Sequence, residues 1–506
     1  MKLRTASFLA ILLSIISVPL FSQDLASFEK RVTVQKLNNG LTVVLCRRPQ
    51  APVFAFNLFV DAGSAQDPRG ETGIAHMMEH MAFKGTPTIG TKNYAKEKPI
   101  LDRVEKAYAA YQAEKLKRIH RDPKLLSQLE EAWKKEVADA NQYVVANEFP
   151  EIVEREGGAG LNAGTAEDET QYFYSMPVNR LELWAYIESE RLLHPVMREF
   201  YKERDVVMEE RRMRTDSSPT GRLVEQFLGT AFNASSYHRP GIGYQSDLEN
   251  FSATDAMAFY KRYYVPSNMV LAVVGDIDPK TAMPIIQKYF GRIPSGPKPE
   301  EYMTAEPPQN SERQVVLHDP SQPFYIEGYH RPDYRDNDDA VYDAISDVLS
   351  NRRTSRLYRS MVRDQKVAAV AGGFSGFPGT KYPHLFAFYA VPTPGHTPEE
   401  MRKSIHEQIE KLKTQDVSDD ELQMVKTRAK ANLIRSLDSN NGLAGMLSDA
   451  QMRYGDWREL FREVERIDKV TKQDIRRVAS KIFVENNRTV GILETKPPAQ
   501  STKEGQ

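Results

Sequence analysis

The chain has 506 residues, 40% hydrophobic and 27% charged, with 28 Gly and 30 Pro; this composition fits a globular protein with room for more than one core and excludes fibrous and disordered classes. Lys and Arg total 68 against 69 Asp and Glu, so the chain as a whole has no net field to draw in nucleic acid or an anionic membrane. The single cysteine, Cys46, excludes intrachain disulfides and thiolate zinc sites, which leaves His and carboxylates as the ligands for any metal.

Met1-Lys2-Leu3-Arg4 followed by an apolar run from Ala6 to Leu20 has the basic n-region and short h-region of a secretory signal. Residues 1–22 are therefore predicted to be a signal peptide, with cleavage near Ser22. The mature chain is predicted to be exported, periplasmic or extracellular, and soluble, since no later apolar run is long enough to span a bilayer. From Arg31 to Leu45, β-rich runs flank Asn38-Asn39-Gly40 and predict a hairpin. Val53 to Val60 reads as a strand and Gly73 to Lys84 as a helix.

Residues 97–145 are rich in Ala, Lys, Glu and Leu and are broken by Arg121-Asp122-Pro123, which predicts a helical hairpin. Pro and charge concentrate in 293–313, the predicted linker between two lobes, 23–292 and 314–496, with a disordered tail at 497–506. The lobes read as diverged repeats. At one constant offset Asp255 meets Asp474, Tyr263 meets Ile482 and Asn268 meets Asn487, each set passing from a helix into an apolar strand.

The sharpest motif is His76-Met77-Met78-Glu79-His80. On a helix, positions i and i+4 share a face, so His76 and His80 can address one cation, while Glu79 stands close enough to take a proton from a metal-activated water. Catalytic zinc usually takes three protein ligands. In the helical stretch 199–214, Glu203 and Glu210 lie two turns apart on one face; Glu210 could bind the metal while Glu203 orients a histidine, and either carboxylate also reads as part of a solvated face.

Together these residues resemble the pitrilysin/insulinase family of inverzincin (H-x-x-E-H) zinc metallopeptidases, in its bacterial two-lobed, processing-peptidase-like form. The segments carrying the resemblance are Gly73 to Gly85, Glu154 to Thr170, Glu203 to Glu210, Ser355-Arg356-Leu357-Tyr358 and Val470-Thr471-x-x-Asp474. It implies an α+β fold of two homologous lobes, each a mainly antiparallel sheet packed with helices, forming half of a clamshell. It also implies one Zn2+ per chain on His76, His80 and Glu210, Glu79 as general base, Glu203 behind a histidine, and Asn162, Ala163 and Arg363 as substrate-binding residues. The second lobe is expected to bind no zinc, since Asp343 and Asp347 stand where histidines would.

Two departures from the family pattern carry consequences. The spacing from His76 to Glu210 is longer than usual because the 97–145 hairpin intervenes; this hairpin is expected to be dispensable for zinc binding and to act in docking or gating. Where the family carries a Tyr seven residues after the Arg, this chain has Val370. The implied partners are a peptide or unfolded-protein substrate and a second chain, either a sister chain supplying an Arg/Tyr pair or a copy of itself; neither nucleic acid nor stable membrane insertion is expected. The function implied is zinc-dependent endopeptidase action on extended segments, the alternatives being a non-catalytic assembly or peptide-binding subunit and a zinc hydrolase of other substrates.

Overall fold

The computed structural model describes residues 25–301 and 304–496; the expected signal at 1–22 and tail at 497–506 lie outside the described residues. Among the described residues, alternation of apolar and turn residues resolves into eleven strands: β1 (Val32–Lys36), β2 (Thr42–Arg47), β3 (Val53–Val60), β4 (Ala159–Thr165), β5 (Thr170–Pro177), β6 (Met269–Gly275), β7 (Arg313–Asp319), β8 (Phe324–Arg331), β9 (Ala368–Phe377), β10 (His384–Pro392) and β11 (Arg488–Thr495). The Asn38-Asn39-Gly40 turn joins β1 to β2 in antiparallel register, Val32 opposite Cys46 and Lys36 opposite Thr42, with Gly40 at φ 101°, a left-handed value open to glycine at little cost.

The strands form two sheets, ordered β1-β2-β6-β3-β5-β4 and β7-β11-β8-β10-β9. Apart from β1 they correspond strand for strand: β2 pairs parallel with β6 as β7 does with β11, and the remaining pairs are antiparallel. The repeat extends to side chains. Asn268 Nδ2 donates to Tyr263 O (3.0 Å) and Asp61 O (3.3 Å), tying the end of a helix to the end of β3, and Asn487 Nδ2 donates to Ile482 O (3.0 Å) and His330 O (2.8 Å), doing the same at β8. The helices leading to these asparagines start with the same capping box, Ser252 with Asp255 and Thr471 with Asp474. The fold is therefore a two-lobed α+β architecture of homologous halves.

Each sheet packs its inner face on helices of its own half, around Phe56, Trp184 and Leu271 in the first and Phe386, Ile345 and Ile475 in the second. The outer faces are covered differently. Helix Asn440–Tyr454 lies on β3 and β6, putting Leu443, Ala444 and Leu447 against Phe59, Val270 and Ala272. Reciprocally, helix Pro219–Ala231 lies on β7 and β11, putting Leu223, Phe227 and Ala231 against Ile326 and Leu493. The division into 23–292 and 314–496 is thus crossed twice, once in each direction.

The insertion forms helices Tyr94–Lys115 and Pro123–Asn141, started by Asn93 accepting from Lys96 N and by Asp122 accepting from Lys124 N and Leu125 N. It is not an appendage. Tyr108 and Trp133 pack against Tyr201, tilted and edge-on, with ring centroids 4.5 and 5.0 Å away, on the helix that carries Glu203 and Glu210. Glu97, 0% exposed, pairs with Arg198, 1% exposed. The Arg198 Nε donates to Glu97 Oε1 (2.6 Å) and Nη2 to Glu97 Oε2 (2.9 Å) and Thr86 O (3.2 Å), while Nη1 donates to Lys84 O (2.7 Å) and Ile89 O (3.1 Å). These carbonyls belong to the loop that follows the His76 helix, so the hairpin is tied through Arg198 to the backbone beside the site.

Candidate metal centre

The motif helix is Ile74–Met81. Ile74, Ala75, Met77, Met78 and Met81 are buried, which fixes the helix roll and leaves His76, Glu79 and His80 on the remaining face. Its start is tightly specified. Gly73 adopts φ 92°, and a Cβ there would meet Ile242 O at 2.5 Å. The carboxylate of Asp67 accepts from Gly73 N (2.6 Å) and Ala75 N (3.0 Å), satisfying amides that the helix cannot. Burial pushes Asp67 up to about 8.

Three donor atoms converge. His76 Nε2 and His80 Nε2 are 3.3 Å apart, and Glu210 Oε2 is 3.7 Å from each. Ligands held about 2.0–2.1 Å from a tetrahedral zinc are about 3.4 Å from one another, so the triangle has the right size, and two imidazoles with one glutamate form a donor set used by catalytic zinc. Burial, with His80 and Arg214 nearby, lowers His76 to about 3, which keeps its imidazole neutral and able to donate a lone pair. His76 Nδ1 is buried without a hydrogen-bond partner among the described residues.

Glu203 acts through His80. Its Oε1 faces His80 Nδ1 at 2.9 Å and its Oε2 faces Lys84 Nζ at 2.5 Å. Burial alone would raise Glu203, but the bonds from His80 and Lys84 outweigh it and bring it to about 2. A fixed carboxylate at Nδ1 selects the tautomer whose Nε2 lone pair points at the other two donors. Burial disfavours charge on His80, yet Glu203 leaves its pKa raised. Glu209, the neighbour of Glu210, is exposed and paired with Arg212.

Glu79 is not part of the donor triangle. Burial raises its pKa, opposed by hydrogen bonding from Thr165 at the end of β4. Asn162 and Ala163 lie on β4, the open edge of the first sheet, and Ala163 N donates to Asn162 Oδ1 at 2.9 Å. A cleft of about 330 Å³ brings Glu79, His80, Asn162 and Ala163 together with Phe83 and with Phe149, which follows the inserted hairpin.

Arg363 is elsewhere. It sits in the helical turn Tyr358–Asp364, exposed and paired with Asp364, and does not line this cleft. Val370 is exposed on β9, the open edge of the second sheet. Asp343 and Asp347 are engaged otherwise: Ser375 donates to Asp343, while Arg428 and Asn351 donate to Asp347. Among the described residues, the one cluster of metal-ligating type is His76, His80 and Glu210. Sequence reasoning missed Asp67, Lys84 and the Glu97–Arg198 pair. The Asp67-Pro68 step before the motif offered a weak helix-start signal, and nothing local marks a pair so far apart in the chain.

Fold and site together define a two-lobed protein whose candidate inverted-motif metal centre lies, among the described residues, on one lobe only. Family comparison agrees: residues 42–115 match the family model described as Insulinase (Peptidase family M16), and residues 250–429 match the one described as Peptidase M16 inactive domain. The chain belongs to the insulinase/pitrilysin family, peptidase family M16. It is 28% identical over 468 residues to the zinc protease PqqE of Helicobacter pylori, covering 90% of this chain and 91% of that one. It superimposes on the crystal structure of a protease from Helicobacter pylori with a TM-score of 0.76 at 27% identity, covering 92% of this chain and 99% of that one. The first half of the periplasmic protease PqqL of Escherichia coli shares the fold, with a TM-score of 0.66 at 19% identity and 92% coverage of both chains.

Proposed function

We propose that this chain is a zinc-dependent endopeptidase acting on extended peptides or unfolded segments. The observation that carries the reading is the convergence of His76 Nε2, His80 Nε2 and Glu210 Oε2 beside a half-buried Glu79 and an open strand edge. His76, His80 and Glu210 would hold one zinc, with Glu203 fixing the orientation of His80. When bound, the metal supplies Lewis acidity toward the scissile carbonyl and the attacking water.

The remaining work falls to protein groups. Glu79, whose burial raises its proton affinity, takes a proton from the attacking water and returns it to the leaving amine. β4 offers a free edge at Asn162 and Ala163 on which an extended segment can lie as an added strand, so backbone hydrogen bonds give affinity with loose sequence preference. The Asn162 side chain must release Ala163 N for that pairing.

The chain further works in a dimer and after export. An isopropyl group at Val370 cannot donate to a developing oxyanion, so a sister chain carrying an Arg/Tyr pair completes the cleft, a homodimer being the slower arrangement. The test is cleavage of an unstructured peptide, with and without a chelator, by the wild type and by Glu79→Gln, with metal content measured on both. The expected result is zinc retained in Glu79→Gln with most activity lost; turnover by that variant at the wild-type rate would sink the assignment.

A further inference from the structure

The turn of the inserted hairpin, between Tyr94–Lys115 and Pro123–Asn141, has no role in the metal centre. The 22-residue first helix, roughly 33 Å long at about 1.5 Å per residue, is held to the body by Tyr108, Gln112 and Lys115, which donate to Glu249 O and Asn250 O, and the turn lies just beyond Lys115. Leu116, Ile119 and Leu125 in and beside this turn are 56%, 90% and 40% exposed, and Ile119 is the most exposed large apolar side chain among the described residues. Three exposed large apolar side chains grouped at one turn form a patch of the kind that marks an interaction site.

Cations surround them: Lys115, Lys117, Arg118, Arg121 and Lys124. The local acids are already engaged. Glu114 accepts from Lys117 Nζ (2.5 Å) and Asp122 N (2.7 Å), and Asp122 accepts from Lys124 N (2.9 Å) and Leu125 N (3.2 Å) as the cap of the second helix. The side chains of Arg118, Arg121 and Lys124 have no hydrogen-bond or ion-pair partner among the described residues. A chain balanced overall thus concentrates unpaired positive charge at one apolar tip.

We propose that this tip docks the protein on an anionic lipid surface, Leu116, Ile119 and Leu125 entering the interface while the cations pair with lipid phosphates. Charge complementarity selects anionic over neutral lipid. Shape selects lipid over a folded partner, because a protein would have to present a matching concavity to cover a side chain as exposed as Ile119, whereas the headgroup and acyl boundary conforms around it. Lys and Arg stems can lie along that boundary with their charges in the headgroup layer.

The experiment is co-sedimentation of the full mature protein with vesicles of phosphatidylcholine alone and with vesicles containing phosphatidylglycerol, at low and high salt. Binding is expected only to the anionic vesicles and only at low salt. Arg118→Glu with Arg121→Glu should weaken it about 25-fold or more, at about fivefold per cation removed. Leu116→Ser, Ile119→Ser and Leu125→Ser together should weaken it at least about tenfold with the charges intact. Both variants should keep the wild-type melting temperature and zinc content, which separates docking from folding. Equal binding to neutral vesicles, no binding to anionic ones, or variants that bind like the wild type would overturn the proposal. So would retention on immobilised polyglutamate without vesicle binding, which would reassign the tip to an acidic protein.

Discussion

Removing the Glu97 carboxylate tests whether the inserted hairpin is structurally part of the metal centre. In Glu97→Ala the Arg198 guanidinium stays buried, keeps its bonds to Lys84 O, Thr86 O and Ile89 O, and loses its counter-charge and two bonds of 2.6 and 2.9 Å. Breaking a buried pair from one side costs about 3–5 kcal/mol, because the uncompensated charge remains. Replacing both members, Glu97→Met with Arg198→Met, removes that charge but takes the Arg198 donor from Lys84 O and Thr86 O, each worth about 1–3 kcal/mol if water cannot reach it, while Ile89 O keeps the bond from Thr86 N. The double variant should therefore be no more stable than the single one, unlike a pair that serves only itself. The affected loop directly follows the helix of His76 and His80, so zinc affinity should fall together with stability. Denaturant unfolding of metal-free protein and zinc titration measure the two quantities. A Glu97→Ala protein within about 1 kcal/mol of wild type and with unchanged zinc affinity would refute the reasoning.

Four further outcomes are expected. His76→Ala, His80→Ala and Glu210→Ala should each lose zinc by metal analysis while Glu209→Ala keeps it, since Glu209 is turned toward Arg212. Gly73→Ala should cost at least about 1–3 kcal/mol, because φ 92° is strained for a residue with a Cβ and that atom would meet Ile242 O; unchanged thermal unfolding would contradict it. Val370→Tyr should raise peptide cleavage by the isolated chain up to about a hundredfold, the typical worth of one oxyanion donor, and a chain already fast without it would remove the need for a complementing partner. Hydrogen bonds from Arg356, outweighing burial, hold Glu421 at about 2. Because the folded carboxylate titrates below the unfolded one, its stabilisation is complete above about pH 5 and fades as pH falls toward 2. The pair is partly exposed, so Glu421→Gln should cost about 1 kcal/mol at neutral pH and progressively less as pH falls from about 5 toward 2, and a cost independent of pH would exclude this origin.

What could be read from the sequence was local or repeated. The spacing of His76 and His80 required only a helix, and buried Ile74, Met77 and Met81 supplied the reason for its roll. The Asn-Asn-Gly turn predicted the β1–β2 pairing, and Asn268 with Asn487 marked the repeat because each satisfies a helix-end and a strand-end carbonyl in its own half. Glu210 over Glu209 followed from register once a third ligand was needed. Contacts between distant segments left no such trace. Glu97 looked like one more solvated charge on an Ala- and Lys-rich helix, and Asp67 like a loop residue, until the fold brought Arg198 to the first and the amides of Gly73 and Ala75 to the second. Arg356, in a Ser-Arg-Leu-Tyr motif apparent from the family pattern, acquires a physical role only when Glu421 is beside it, joining two segments of the second lobe.

The crossed helices Pro219–Ala231 and Asn440–Tyr454 bear on how a clamshell built from this chain can open. Each helix seals the apolar outer face of the other half's sheet, so swinging the two lobes apart would expose Phe59, Val270 and Ala272 on one side and Ile326 and Leu493 on the other to water at once. The connecting segment cannot serve as a hinge while both seals hold, and the pair of lobes moves as a rigid unit. In the proposed dimer, admission of substrate to the cleft is then a motion of one whole chain against another, set by the contact between chains and not by any flexing inside one.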